Sequence, residues 1–217
     1  MLAAVALALL LASGVALAVN KVGTDGPDTL RGTNGPDNLL GKGGNDALFW
    51  LGGRDNLVGG EGKDWVLGGN ERRALGGDKN LLGGPGNDGV AGGNGSDNLL
   101  GGSGNDFVNG GRGSDRIVGG DGNDYLLDGE LRGGATDILT GGDGNDVLDV
   151  INRPAAKDVV SCGDGFDRVL ADRKDVVADD CEEVAVGLPA ARELNERLEE
   201  RGFFERLFGG LAPFPER

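Results

Sequence analysis

The chain has 217 residues, with 21 Lys plus Arg against 36 Asp plus Glu, and a formal charge of −15. That length points to one domain, two at most, and an acid excess with no basic stretch excludes a nucleic-acid partner, because phosphate affinity is carried by Lys and Arg. There is no His, which removes His-ligated zinc, Ser-His-Asp triads and Cys-His nucleophile pairs together, and 45 Gly with 5% aromatics leave no material for a large aromatic-aliphatic core.

The N-terminus comes first. Leu2 to Ala18 is apolar except at Ser13 and Gly14, and it ends in Ala16-Leu17-Ala18, a small-x-small cleavage pattern. Residues 1–18 therefore read as the signal peptide of an exported protein, although only the Met1 amino group supplies positive charge. The stretch is at the lower limit for crossing a bilayer, so cleavage is expected rather than anchoring.

From residue 23 the glycines fall into a period of nine. Gly92 to Leu127 reads GGNGSDNLL, GGSGNDFVN, GGRGSDRIV, GGDGNDYLL. The aspartate position is held by Asp28, Asp37, Asp46, Asp55, Asp64, Asp88, Asp97, Asp106, Asp115 and Asp124, and after a four-residue interruption by Asp137 and Asp146. Two places after them lie Leu30, Leu39, Leu48, Leu57, Val66, Val90, Leu99, Val108, Ile117, Leu126, Leu139 and Leu148, every one aliphatic. Glycines ahead of the Asp allow positive φ and close backbone approach, as stacked turns require. The three residues after the Asp are too few for an independent strand, and alternation along them points the middle one inward. Asn45, Asn87, Asn105, Asn123 and Asn145, just before the Asp, suit turn positions tolerant of left-handed backbone.

This nonapeptide is similar to the glycine-rich, hemolysin-type calcium-binding repeat of the repeats-in-toxin family, over roughly Gly23 to Asp149. The resemblance implies an all-β fold, a right-handed parallel β-roll (β-solenoid), in which two nonapeptides make one coil and each Asp lies over the Asp eighteen residues on. Parallel strands stack about 4.8 Å apart; two carboxylates at that distance repel by roughly 3.5 kcal/mol at an effective dielectric of about 20. Calcium, which takes six to eight hard oxygen ligands, answers that repulsion. The twelve aspartates named above are the expected metal ligands, in the pairs Asp28/Asp46, Asp37/Asp55, Asp46/Asp64, Asp88/Asp106, Asp97/Asp115 and Asp106/Asp124. Asp115/Asp137 and Asp124/Asp146 join them if Asp128 to Leu131 bulge outward.

Two places depart from the pattern. Trp50 and Leu51 replace the leading glycines of the Asp55 repeat, which predicts a wider turn and a weakened site. Arg73, beside Arg72, stands where the register calls for an aspartate, and the copy Gly77 to Leu82 is shortened. Gly68 to Leu82 is thus expected to lack calcium, either as a decayed repeat or with the arginines supplying the ion's charge.

Residues 150–186 read as degenerate repeats forming a C-terminal cap, with Val160, Val169, Val177 and Val184 marking worn coils. Cys162 and Cys181, an even pair in an exported chain, predict a disulfide pinning that cap. This segment resembles the tail of secreted actinobacterial members of the same family. Asp167 is a further candidate ligand, while Asp164, Asp172 and Asp175 read as surface charges. Residues 187–217 form the last unit, where Pro189 opens a helix-compatible run with Leu194 and Leu198 at helical spacing, followed by Phe203, Phe204, Leu207 and Phe208. It is expected to be a short amphipathic helix that docks on the roll or stays loose.

The functional expectation is a secreted, extracellular calcium-binding repeat protein, monomeric, binding several calcium ions and not an enzyme. One aliphatic per nine residues buries too little to order so glycine-rich a backbone, so calcium is expected to drive folding. Two alternatives stay open: a calcium-stabilised adhesion or matrix module on cell-surface polysaccharide, and an accessory fragment of a polysaccharide-active enzyme.

Overall fold

A computed structural model describes residues 18–67, 79–128, 134–152 and 155–187. The leader, Arg72 and Arg73, residues 129–133 of the insertion and the tail with its expected helix lie outside the described residues.

Among the described residues the chain is all strand, wound into two parallel sheets of nine strands each. Odd and even strands alternate between them. One sheet stacks Asn20–Val22, Asn38–Gly43, Asn56–Glu61, Asn80–Pro85, Asn98–Ser103, Arg116–Asp121, Ile138–Asp143, Val159–Asp164 and Val176–Val177. The other stacks Thr29–Arg31, Ala47–Phe49, Trp65–Leu67, Gly89–Asn94, Phe107–Arg112, Tyr125–Leu127, Val147–Asp149, Arg168–Ala171 and Glu183–Val186. Each strand therefore pairs with the strand one full coil away, Leu99 opposite Ile117 and Val90 opposite Val108. Several strands run to six residues rather than three, because the leading glycines of the next repeat continue the ladder.

The aliphatic two places after each aspartate faces inward, and the two rows form one narrow core from Leu39 to Val169. Leu81 belongs to that core, opposite both Leu57 and Leu99. The irregular coils keep this register: Leu57 to Leu81, Ile117 to Leu139 and Leu139 to Val160 all pair directly. The register survives these changes of spacing, since a one-residue slip would turn every core side chain to the outside.

Positive φ does occur in the turns, at the second and fourth repeat positions. Gly102 and Gly104 have φ of 130° and 125°, and a Cβ on Gly102 would run into the Gly84 carbonyl of the coil below. The asparagines before the aspartates do not share that conformation, since Lys42 alone among the described non-glycine residues has positive φ. Their role is different from the expected one. The side-chain oxygens of Asn87, Asn105 and Asn123 accept the backbone N–H of Asn105, Asn123 and Asn145 on the next coil at 2.9, 2.7 and 2.8 Å. A further amide ladder runs up the outside of one sheet through Asn20, Asn38, Asn56, Asn80 and Asn98.

Cys162 and Cys181 form the expected disulfide, Cα atoms 5.3 Å apart. Cys162 stands opposite the leading-glycine position of its sheet, so its side chain points inward and is fully buried. The worn coils hold register, with Val160 opposite Val177 and Val169 opposite Val184, although Val184 on the last coil is exposed.

Candidate metal centre

Each turn closes with an aspartate whose N–H reaches the carboxylate one coil further on. Asp46 donates to Asp64, Asp64 to Asp88, Asp88 to Asp106, Asp106 to Asp124 and Asp124 to Asp146, each at 2.8 Å to Oδ1. On the opposite edge Asp37 donates to Asp55 and Asp97 to Asp115 at 2.8 Å, and Asp115 donates to Asp137 at 2.6 Å. Asp28 donates to Asp46 in the same way. All twelve sequence-selected aspartates therefore stand in two rows, in the pairs the resemblance implied, including the pairs that cross the four-residue insertion.

These hydrogen bonds use only one carboxylate oxygen. The other, Oδ2, is buried without a hydrogen-bond donor at Asp46, Asp64, Asp88, Asp106, Asp124, Asp137 and Asp146. At all of these but Asp137 it points into the turn, toward the leading glycine and a carbonyl of the following coil. A Cβ on Gly83 would lie 2.6 Å from both Asp88 Oδ2 and the Gly101 carbonyl oxygen. The same convergence recurs at Gly41, Gly59, Gly101, Gly119 and Gly141, where the second oxygen belongs to Gly59, Gly83, Gly119, Gly141 and Cys162. Glycine is required there because carboxylate and carbonyl oxygens crowd the space a side chain would fill. A dry cradle of hard oxygens with no donors is the ligand chemistry of calcium.

A model of the RTX calcium-binding nonapeptide repeat matches residues 22–49, 51–71, 91–126 and 132–149. The chain carries four copies of the RTX calcium-binding repeat. No curated protein matches the chain. The RTX roll is a structural calcium-binding module, and the residues fit that ion on the orphaned Oδ2 atoms alone.

Electrostatics of the RTX rows point the same way. Burial pushes Asp88, Asp124 and Asp137 up to about 8, and Asp97, Asp106 and Asp146 up to about 7. Backbone N–H bonds pull these values down, but desolvation is the larger effect. Neighbouring aspartates of the row add to the rise at Asp88 and Asp124. Without a cation, burial holds these six carboxyls well above the ordinary carboxylate range.

The first coil is different. Asp28 and Asp37 belong to the rows, yet their Oδ2 atoms are satisfied locally by Thr24 and Thr33 through backbone N–H and hydroxyl. These bonds hold the Asp28 carboxyl below its ordinary value. Threonine occupies the second repeat position there, where the later turns mostly have glycine at positive φ.

Several members of the rows were not selected from sequence. Asp158 is fully buried, with Asp137 donating to it at 2.9 Å. Asp167, a candidate ligand, accepts from Asp146 at 2.7 Å and leaves Oδ2 without a donor. Asp175 is no plain surface charge: it accepts from the N–H of Asp158 and Asp172 and ends its row, as Glu182 ends the other by accepting from Asp167. Asp158 and Asp175 both have an aliphatic two places on, as the selected Asp167 does, the signal that would have found them.

Asp128, the one described residue of the insertion, departs from the expectation. Asp128 does not bulge outward; it is buried and meets Asp137 and Asp158, with ligand atoms mutually within 4.8 Å. It takes a leading-glycine position, so its carboxylate projects into the turn. Asn152 Nδ2 donates to both Asp128 and Asp158, at 2.7 and 3.0 Å. Cys162, Cys181 and Asp180 also cluster, but both sulfurs are consumed in the disulfide.

Proposed function

We propose that this chain is an exported calcium-binding repeat protein whose folding is driven by calcium held between successive aspartates of the two rows. The supporting observation is the series of buried Oδ2 atoms that have no donor and share a cradle with a carbonyl of the next coil. The bound ion supplies positive charge to the carboxylates and carbonyls of the turn. The chain's own residues do the rest. Backbone N–H groups aim each Oδ1, glycines keep the cradle open, and the aliphatic rows set the spacing between coils. Asp46, Asp64, Asp88, Asp106, Asp124 and Asp146 hold ions along one edge, and Asp55, Asp97, Asp115, Asp137 and Asp158 along the other.

Folding and binding are linked because the cradle exists only when coils stack. The export reading rests on the disulfide, which persists in oxidising compartments, and on the apolar Leu2–Ala18 segment. Calcium titration followed by calorimetry and far-UV circular dichroism tests the function. Several equivalents should bind as β-structure forms, and unchanged β-structure after full chelation would refute the coupling.

A further inference from the structure

Lys79 interrupts one of the rows. Lys79-Asn80-Leu81-Leu82-Gly83-Gly84 repeats Asp97-Asn98-Leu99-Leu100-Gly101-Gly102 with only its first residue changed. The backbone follows: Lys79 N–H donates to Asp97 Oδ1 at 3.1 Å, and its carbonyl accepts from Asn98 N–H at 2.9 Å, as Asp97 does with Asp115 and Arg116 one coil on. Lys79 thus holds an aspartate place in the row, and it is fully buried.

Its side chain goes to the cradle. Nζ lies 2.5 Å from the Asn94 carbonyl oxygen, 3.4 Å from that of Gly92 and 3.5 Å from Asp97 Oδ2. Gly92 and Asn94 are the first and third residues of the repeat that Asp97 closes, and Gly92 is the glycine whose Cβ would meet Asp97 Oδ2. At Asp46, Asp64, Asp88, Asp106, Asp124, Asp137 and Asp146 the corresponding Oδ2 has no hydrogen-bond donor. The fourth neighbour is the Trp50 ring, whose centroid is 3.8 Å from Nζ. Trp50 replaces a leading glycine of the previous coil and is itself buried. Its face gives a cation a favourable contact where a turn carbonyl would otherwise serve.

We propose that the Lys79 ammonium is a permanent internal cation in place of one calcium ion, so that this coil is closed without metal and divides its row into two separate calcium arrays. The inference rests on the calcium reading above. Charge agrees with it: two carboxylates with a divalent ion sum to zero, and so do one carboxylate and one ammonium. The two departures, Trp50 and Lys79, are then complementary parts of one substitute site.

Crystals of the wild-type chain grown with terbium, a calcium surrogate located by its anomalous scattering, test this directly. Peaks are expected beside Asp115, Asp137 and the opposite row, with none against the carbonyls of Gly92 and Asn94. A peak at those carbonyls overturns the inference alone, whereas a map with no peaks along either row overturns the calcium reading and the inference with it. The Lys79→Asp variant should bind one more calcium equivalent than wild type in calorimetric titration; an unchanged count also overturns the proposal. Should that variant fail to fold in saturating calcium, the wild-type map decides.

Discussion

Replacing Asp106 by Asn separates the two states of the roll, because the same change acts with opposite sign in each. Asp106 is fully buried, takes the Asp88 N–H on Oδ1 and leaves Oδ2 without a donor, beside the Gly119 carbonyl. Burial lifts it from 3.8 to about 7, so keeping it ionised at pH 7.5 costs the metal-free fold roughly 4 kcal/mol. Asn keeps the Oδ1 acceptor and puts an N–H donor among the carbonyls, so Asp106→Asn should stabilise the metal-free roll by about 2–4 kcal/mol. In calcium it removes a charged ligand, and the calcium midpoint of folding should rise about tenfold, about 1.4 kcal/mol. The β-signal of the chelated variant against that of the chelated wild type, read by far-UV circular dichroism, reports the first quantity, and calcium titration gives the second. A variant that is no more stable in chelator, or whose calcium midpoint is unchanged, refutes the assignment of Oδ2 as a ligand atom.

The remaining outcomes follow from the same geometry. Asp88, Asp124 and Asp137, raised to about 8, and Asp97, Asp106 and Asp146, raised to about 7, bind more protons folded than unfolded above pH 3.8. Metal-free stability therefore falls as pH rises through that window, by about 1.4 kcal/mol per pH unit for each group. Chelated protein should gain β-signal on acidification from pH 8 to pH 5, and β-content that rises with pH instead would contradict this. Gly102→Ala should cost at least about 2 kcal/mol, since φ is 130° and the Gly84 carbonyl blocks the methyl. Gly187→Ala, with φ of 86° and nothing within 4 Å, should cost only about 1 kcal/mol in the same denaturation assay. Reducing Cys162–Cys181 opens a link spanning 19 residues, and should lower stability by about 3 kcal/mol, with hydrogen exchange rising first in Val159–Asp164. Magnesium should fail to induce β-structure at concentrations where calcium does, because it requires tighter octahedral geometry and keeps its waters.

The period of nine makes both sheets, the core line and the aspartate rows readable, because Asp and the aliphatic two places on are fixed by the same turn. What escaped had lost the glycines that announce a repeat. Asp158 and Asp175 keep the Asp-to-aliphatic spacing but lack the glycine pair before it. Lys79 escapes a count of nine from Asp64, which falls on Arg73, whereas Leu81 and the identical Asn-Leu-Leu-Gly-Gly run fix the register by pairing. Asp128 turned inward because an L-residue at a leading-glycine place has its Cβ aimed at the cradle, a fact of coil geometry and not of composition. The asparagines look like turn residues in isolation, and their bonds to the next coil exist only once coils stack. Thr24 and Thr33 differ from glycine by a hydroxyl whose partner, four residues away, is visible only in the folded turn.

Because Leu99 faces Ile117 and Val90 faces Val108, the molecule's length is a free variable, counted in whole windings. Excising Asn98 to Asp115 would set Asp97 against Asp137, acid against acid, and return each strand to its own sheet. Excising a single nonapeptide would bring the asparagine stripe of one wall against the stacked Phe107 and Tyr125 of the other. Tandem gain or loss in such a gene is therefore tolerated in steps of two repeats, and the odd step is the one the walls resist.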